Sequence, residues 1–202
     1  MISFLLLIQA AAAPAASCAP GIYLEAGAPE ELTPIPERLT DHRKVSGLLG
    51  YALLGGLTTL KVKTVLPGNA ATVRTHASRP AFIFCSPKEQ TAEAASGDQM
   101  GYVGVSAPGY SPREFRLVRF DVERDQREVP LSAMSITGPK VGAVQKATVR
   151  FETTEIAPGR FRVVPTDDLA AGEYGFLKTV GNTTAANGKK AAPERVFDFA
   201  VE

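Results

Sequence analysis

Tryptophan is absent from this chain of 202 residues, and there are only two cysteines and two histidines. Each shortage removes a class of chemistry. Without Trp, and with five scattered Tyr, the aromatic platforms on which sugars stack are not evident. The cysteines, Cys18 and Cys85, form no Cys-x-x-Cys pair, so neither a thiol redox motif nor the usual zinc spacing is present. His42 and His76 stand alone, without the spacing of metal ligands. No Gly-x-Ser-x-Gly elbow, P-loop or His-Glu-x-x-His occurs. Lys and Arg number 22 against 21 Asp and Glu, a formal net charge of +1, with no block of basic residues. Nucleic acid is therefore not an expected partner, and neither a cofactor nor a metal is expected.

What is present begins with residues 1–17, MISFLLLIQAAAAPAAS, which carry no charge. A short apolar run, Phe4 to Ile8, leads into alanines and a helix-breaking Pro14, and Ala13-Pro14-Ala15 has the small-x-small form that signal peptidase recognises. The run is shorter than the ~20 apolar residues a bilayer span requires. The usual Lys or Arg after Met1 is missing, as it would be if the true start lay upstream. The alternative is a buried N-terminal helix. The reading adopted is a signal peptide over 1–17 and an exported chain from residue 18, located in the periplasm or at the outer membrane.

Three fates are open to Cys18. It forms a disulfide with Cys85 in an oxidising compartment. It is the lipidated first residue of a lipoprotein, although Ala15 stands where a lipobox prefers Leu. Or both cysteines are free thiols, Cys85 being a small buried apolar residue of "AFIFCSP". Disulfide and free thiol rank ahead of lipidation, and a membrane is expected only if Cys18 is lipidated.

The remaining residues, about 185, suffice for one substantial core, and β patterns dominate them. "FRLVRFDV" (115–122) and "REVPL" (127–131) flank the polar turn Glu123 to Gln126. "ATVRFETTEI" (147–156) and "RFRVVP" (160–165) flank Ala157-Pro158-Gly159, a favourable reversal. "YGFLKTV" (174–180) and "RVFDFAVE" (195–202) follow, with Phe197, Phe199 and Val201 alternating with Asp198 and Ala200. Weaker strands are read over 21–27, 59–68 and 81–86, the last placed centrally because it is apolar on both faces. Pro130 and Pro165, lacking an N–H, are expected at strand ends or edges. Alternating charge in "REFRLVRFDVERDQRE" reads as a solvated face. The spacing predicts one all-β domain over 18–202, an antiparallel β-sandwich, with residues 87–113 as a long loop.

The stretch "SGLLGYALLGGLTTL", residues 46–60, has four glycines and no charge. One reading makes it a surface that inserts into lipid or a partner groove. The preferred reading tucks it under the sandwich as a strand or bend, because glycine disfavours helix and short uncharged runs usually pack into cores.

"PTDDLAAGEYGFL", 165–177, pairs Asp167 and Asp168 with Tyr174. After the strand "RFRVVP", the pattern Leu169-x-x-Gly172-x-Tyr174 resembles the tyrosine corner of immunoglobulin-like sandwiches, in which the Tyr hydroxyl bonds back to nearby backbone. Gly172 would supply the bend, with the two aspartates in the turn before it. No Asp/Asn/Gly loop of calcium-binding periodicity surrounds them, so this is read as a corner and not a site. Asn182-Thr183-Thr184 fits a glycosylation sequon, relevant only in a eukaryotic secretory pathway.

Together "LTTLKVKTVLPGNAATVR", "REFRLVRFDVERDQREV" and "RFRVVPTDDLAAGEYGFL" look like exported β proteins of unassigned function from Gram-negative bacteria. The resemblance implies a periplasmic or outer-membrane-associated, immunoglobulin-like β-sandwich and brings no catalytic residues. The function expected is a non-enzymatic binding or structural module of the cell envelope. Its partner would be another envelope protein, met through residues 87–113 or the Gly-Leu segment; no oligomeric state is implied. Two alternatives are a hydrolase gathering His42 or His76 with carboxylates, and a carbohydrate-binding module with Tyr51, Tyr102 or Tyr110 on one flat face.

Overall fold

The computed structural model describes residues 18–26, 31–40, 42–46, 48–54, 60–86, 110–135, 138–139, 142–178 and 194–202. The leader, most of the 87–113 loop, Tyr102 and the Asn182 triplet lie outside these. In chain order the elements are β1 (Gly21–Glu25), β2 (Leu32–Pro34), β3 (Glu37–Leu39), β4 (His42–Ser46), α1 (Leu48–Leu53) and β5 (Leu60–Pro67). Next come β6 (Val73–Thr75), β7 (Ala81–Cys85), β8 (Phe115–Arg119), β9 (Asp121–Glu123), β10 (Gln126–Ser135) and β11 (Gly138–Pro139). The last are α2 (Gly142–Ala147), β12 (Thr148–Val149), β13 (Phe151–Ala157), β14 (Arg160–Pro165), β15 (Gly172–Lys178) and β16 (Arg195–Val201).

Three sheets result, antiparallel except for one short pairing. The first runs β13-β14-β7-β1-β2 and the second β12-β8-β15-β16-β3, with β6 parallel to the end of β16. These two face each other as the β-sandwich that the sequence predicts. Phe82 and Phe84 of β7 meet Phe176 of β15 edge-on at 4.9 and 5.0 Å, and Phe199 of β16 lies 4.6 Å from Phe82. Such pairs contribute ~0.5–1.5 kcal/mol each beyond burial. As expected, β7 is central, flanked by β1 and β14.

The third sheet, β11-β10-β5-β4 with β9 beside β10, was not foreseen. It covers the back of the second sheet: Leu66 of β5 and Val129 of β10 pack with Val118, Phe120, Leu177 and Val196. The second sheet is therefore the middle layer, and β15 and β16 are buried on both faces. Two stretches read as single strands are split where the chain changes sheets. At Phe120 it leaves β8 for β9, and at Arg150 it leaves β12 for β13. Gly175 fits the tight middle layer because a Cβ there would stand 2.9 Å from the Phe120 ring.

Two expectations are corrected. Pro130 lies inside the ten-residue β10, not at its end, at a bulge where the register slips between Pro130 and Ser132. The bulge accommodates the missing N–H; Pro165 does end its strand. Residues 48–53, expected to tuck beneath the sandwich, form a short helix on which Leu49 and Leu53 are 79% exposed, and Leu54 just after it is 53% exposed. At the end of the 87–113 loop, Pro112–Glu114 form a 3-10 turn. Among the described residues no helix is long and apolar enough to cross a membrane.

Candidate functional site

The residues singled out in the sequence fall into two structural groups. Cys18 and Cys85 are joined by a disulfide with Cα atoms 6.0 Å apart, tying the chain before β1 to the end of β7. A sulfur so bonded carries no acyl thioether. Leu169, Gly172 and Tyr174 form the corner: Leu169 is buried, and the Tyr174 hydroxyl donates to the Ala170 carbonyl at 2.7 Å. Gly172 takes φ +156° with the Arg119 guanidinium 3.2 Å from where a Cβ would be. Burial pushes the Tyr174 hydroxyl pKa up, with Arg119 acting against it. Asp167 and Asp168 are exposed, and among the described residues Asp167 reaches an exposed Arg150 at 3.5 Å.

The residues behind the two alternatives are not gathered by the described structure. His76 is 86% exposed, 3.7 Å from Glu202, while the His42 imidazole lies outside the described side chains. Tyr110 packs edge-on against Phe197 at 5.9 Å, partly buried. Among the described residues no group of three or more His, Cys, Asp or Glu is placed to hold a metal.

Sequence reasoning missed the charges that matter most. Arg127 and Glu128, within the stretch expected to be solvated, are 0% and 1% exposed. They are adjacent in β10, so they point to opposite faces. Arg127 reaches into the interface between the second and third sheets. Its Nη1 lies 2.7 Å from Asp198 Oδ2 and 3.0 Å from Glu173 Oε2, and its Nε donates to the Gly68 carbonyl at 2.9 Å. Glu173 also accepts from the Ala71 amide at 2.7 Å, and Arg38 comes within 3.6 Å of Asp198. The Asp198 contact is an ion pair rather than an aligned hydrogen bond, since neither carboxylate oxygen finds a hydrogen-bond donor among the described residues.

Glu128 accepts from Lys44 at 2.7 Å, Lys63 at 2.8 Å and Gln126 at 2.7 Å. Burial pushes its carboxyl up, but the hydrogen bonds and charges of Lys44 and Lys63 outweigh that and hold it down at about 2, from an ordinary 4.5. The hydrogen bond to Glu128 conversely raises Lys63. A depressed carboxyl stabilises the fold fully above its unfolded value and loses that contribution as pH falls through its folded value. Acid titration of unfolding midpoints is therefore expected to show a loss between pH 4.5 and about 2. Glu128→Gln should be less stable near neutrality and show a flatter decline over that window; an unchanged slope would remove Glu128 from the account.

A surface hollow of about 880 Å³ is lined by residues of both the second and the third sheet, within the ~300–1,000 Å³ range of ligand sites. Lys61 and Lys63 of β5, Arg119 at the end of β8 and Lys146 of α2 line it, with Phe120, Val122, Pro130 and Ala147 as apolar walls and Asn69 at hand. Two acids, Asp121 and Glu173, also face it, but Glu173 is engaged by Arg127 and the Ala71 amide. Lys61 and Lys63 are alternate residues of one strand and so share a face, the single part of this cluster legible from spacing. No protein-family model matches the chain, and no curated protein or solved structure matches it either.

Proposed function

We propose that this chain is an exported, non-enzymatic binding module of the bacterial cell envelope that meets another envelope protein through the exposed leucines on and just after α1. The observation that carries the reading is the exposure of Leu49, Leu53 and Leu54 in a segment, 46–60, without a single charged residue. Leu49 and Leu53 are four apart on one helix face, and hiding such side chains on a partner gains ~1.5–3 kcal/mol each. Export is supported by the apolar leader pattern of residues 1–17 and by a disulfide that suits an oxidising compartment.

The test is a crosslinking and pull-down experiment on the full chain in a Gram-negative host. The double substitution Leu49→Asp, Leu53→Asp is compared with the parent at equal thermal midpoint. A partner captured by the parent from the envelope fraction and lost by the variant is the expected result. Equal capture by both, or recovery of the parent only from the cytosol, would overturn the reading.

A further inference from the structure

We infer that β13 is a self-association edge: two copies of this chain pair their β13 strands antiparallel about Thr153, joining their first sheets into one. The inference uses none of the leucines of the partner surface proposed above. β13 is the outer strand of the first sheet. Glu152 to Ile156 are all exposed, and alternate residues point to opposite faces, so the strand stands clear on both. It carries neither Lys nor Pro, two residues that usually blunt such an edge. Other margins are less suited: β2, β11 and β12 are two or three residues long, and the shorter β4 carries His42, Arg43 and Lys44.

The direction of the free backbone groups follows from one hydrogen bond. The Thr166 amide donates to the Arg150 carbonyl at 3.0 Å, and these residues continue the β13–β14 register, in which Phe151 faces Pro165 and Thr153 faces Val163. Hydrogen-bonded and non-bonded pairs alternate along an antiparallel ladder. Glu152 and Thr154 therefore turn their N–H and C=O groups toward β14, while Phe151, Thr153 and Glu155 turn theirs outward. Pro165, which has no N–H, accordingly sits opposite Phe151. The regular ladder ends at Glu155, where the register shifts at a bulge before Ala157.

The outward residues are thus centred on Thr153. A two-fold axis there sets Thr153 against Thr153 and Phe151 against Glu155 of the second copy, and every outward group finds a partner. Moving the axis to Glu152 would oppose two glutamates, and moving it to Thr154 would run the pairing onto the bulge. With the axis at Thr153, Glu152 faces Thr154, so no like charges stand directly opposite, the arrangement that destabilises a sheet. The Glu155 carboxylate is turned back to its own chain, accepting from the Gly159 amide at 3.2 Å. The two Glu152 side chains meet on a diagonal, ~7–8 Å apart, where salt screens them. Such an isologous contact closes at two copies.

The test is sedimentation velocity of the full chain from micromolar to millimolar concentration. A monomer–dimer equilibrium that stops at the dimer and tightens as salt rises is expected, and Glu152→Gln should tighten it further. Thr153→Pro removes only an outward N–H, so it should raise the dissociation constant roughly tenfold or more at a near-parental thermal midpoint. Thr153→Lys and Thr153→Glu, which leave the backbone intact, should each be monomeric alone and dimerise when mixed in equal amounts. A chain monomeric at millimolar concentration, or growth past the dimer, would overturn the proposal. So would parental association of Thr153→Lys, a mixture no better than either variant alone, or a loss that follows Leu49→Asp with Leu53→Asp instead of Thr153.

Discussion

Replacing Arg127 with methionine is expected to destabilise the protein by about 3–5 kcal/mol, the cost of removing one partner from a buried ion pair. For a chain of this size that lowers the thermal midpoint by roughly 6–20 °C. Methionine keeps the apolar stem but leaves Asp198, 0% exposed, and Glu173, 8% exposed, without the guanidinium that neutralises both at 2.7 and 3.0 Å. It also strips the Gly68 carbonyl of its donor. The loss comes from stranded carboxylates, so adding Asp198→Asn to Arg127→Met should recover part of it. Thermal and urea unfolding of the two variants decide the matter. A midpoint within about 2 °C of the parent for Arg127→Met would mean that the network contributes little, and a double variant worse than the single would mean that the charges are not coupled.

Breaking the Cys18–Cys85 bond is the other large effect expected. The two residues are 67 apart in sequence, and closing a loop of that length restrains the unfolded chain by about 4 kcal/mol in the chain-entropy account. Cys18→Ser should therefore unfold at markedly lower urea or temperature. The parent in reductant should drop to nearly the same midpoint, while the variant should ignore the reductant. A parent whose midpoint is indifferent to reductant would show that the cross-link does not contribute in solution. The position of the bond makes the effect local as well as global: β1 packs Ile22 and Leu24 into the sandwich core, and Cys18 anchors the chain just before it.

Much of the sandwich could be read from residues because its strands follow simple local rules. "RVFDFAVE" alternates, Pro158-Gly159 turns, and the Leu169–Tyr174 spacing makes its corner within a few residues. The third sheet was hidden for a physical reason. Its interface buries charge, and "ERDQRE" looks solvated unless one knows that Asp198, 71 residues away from Arg127, lies opposite. β2, β3, β6 and β11 are two or three residues long, too short for any period, and β4 is an edge strand rich in charge, as edges often are. The helix α1 was missed because the four glycines within and around it argue against helix, and its exposure because uncharged runs generally hide. The hollow was visible only as Lys61 and Lys63; Arg119 and Lys146 reach its lining through topology.

The order of the strands has a consequence for how the chain comes to its fold. β16, nearest the C-terminal end of these 202 residues, does not sit at a margin. It lies between β15 on one side and β3 and β6 on the other, contributing Phe197, Phe199 and Val201 to one core and Val196 to the second. Strands synthesised more than a hundred residues earlier must wait for it. A chain emerging N-terminus first therefore has no completed middle layer until β16 has emerged, and until then both flanking sheets present unsatisfied apolar faces. Contacts of such long sequence separation form slowly, which makes the interval between emergence and closure the period when this protein most depends on being shielded from its neighbours.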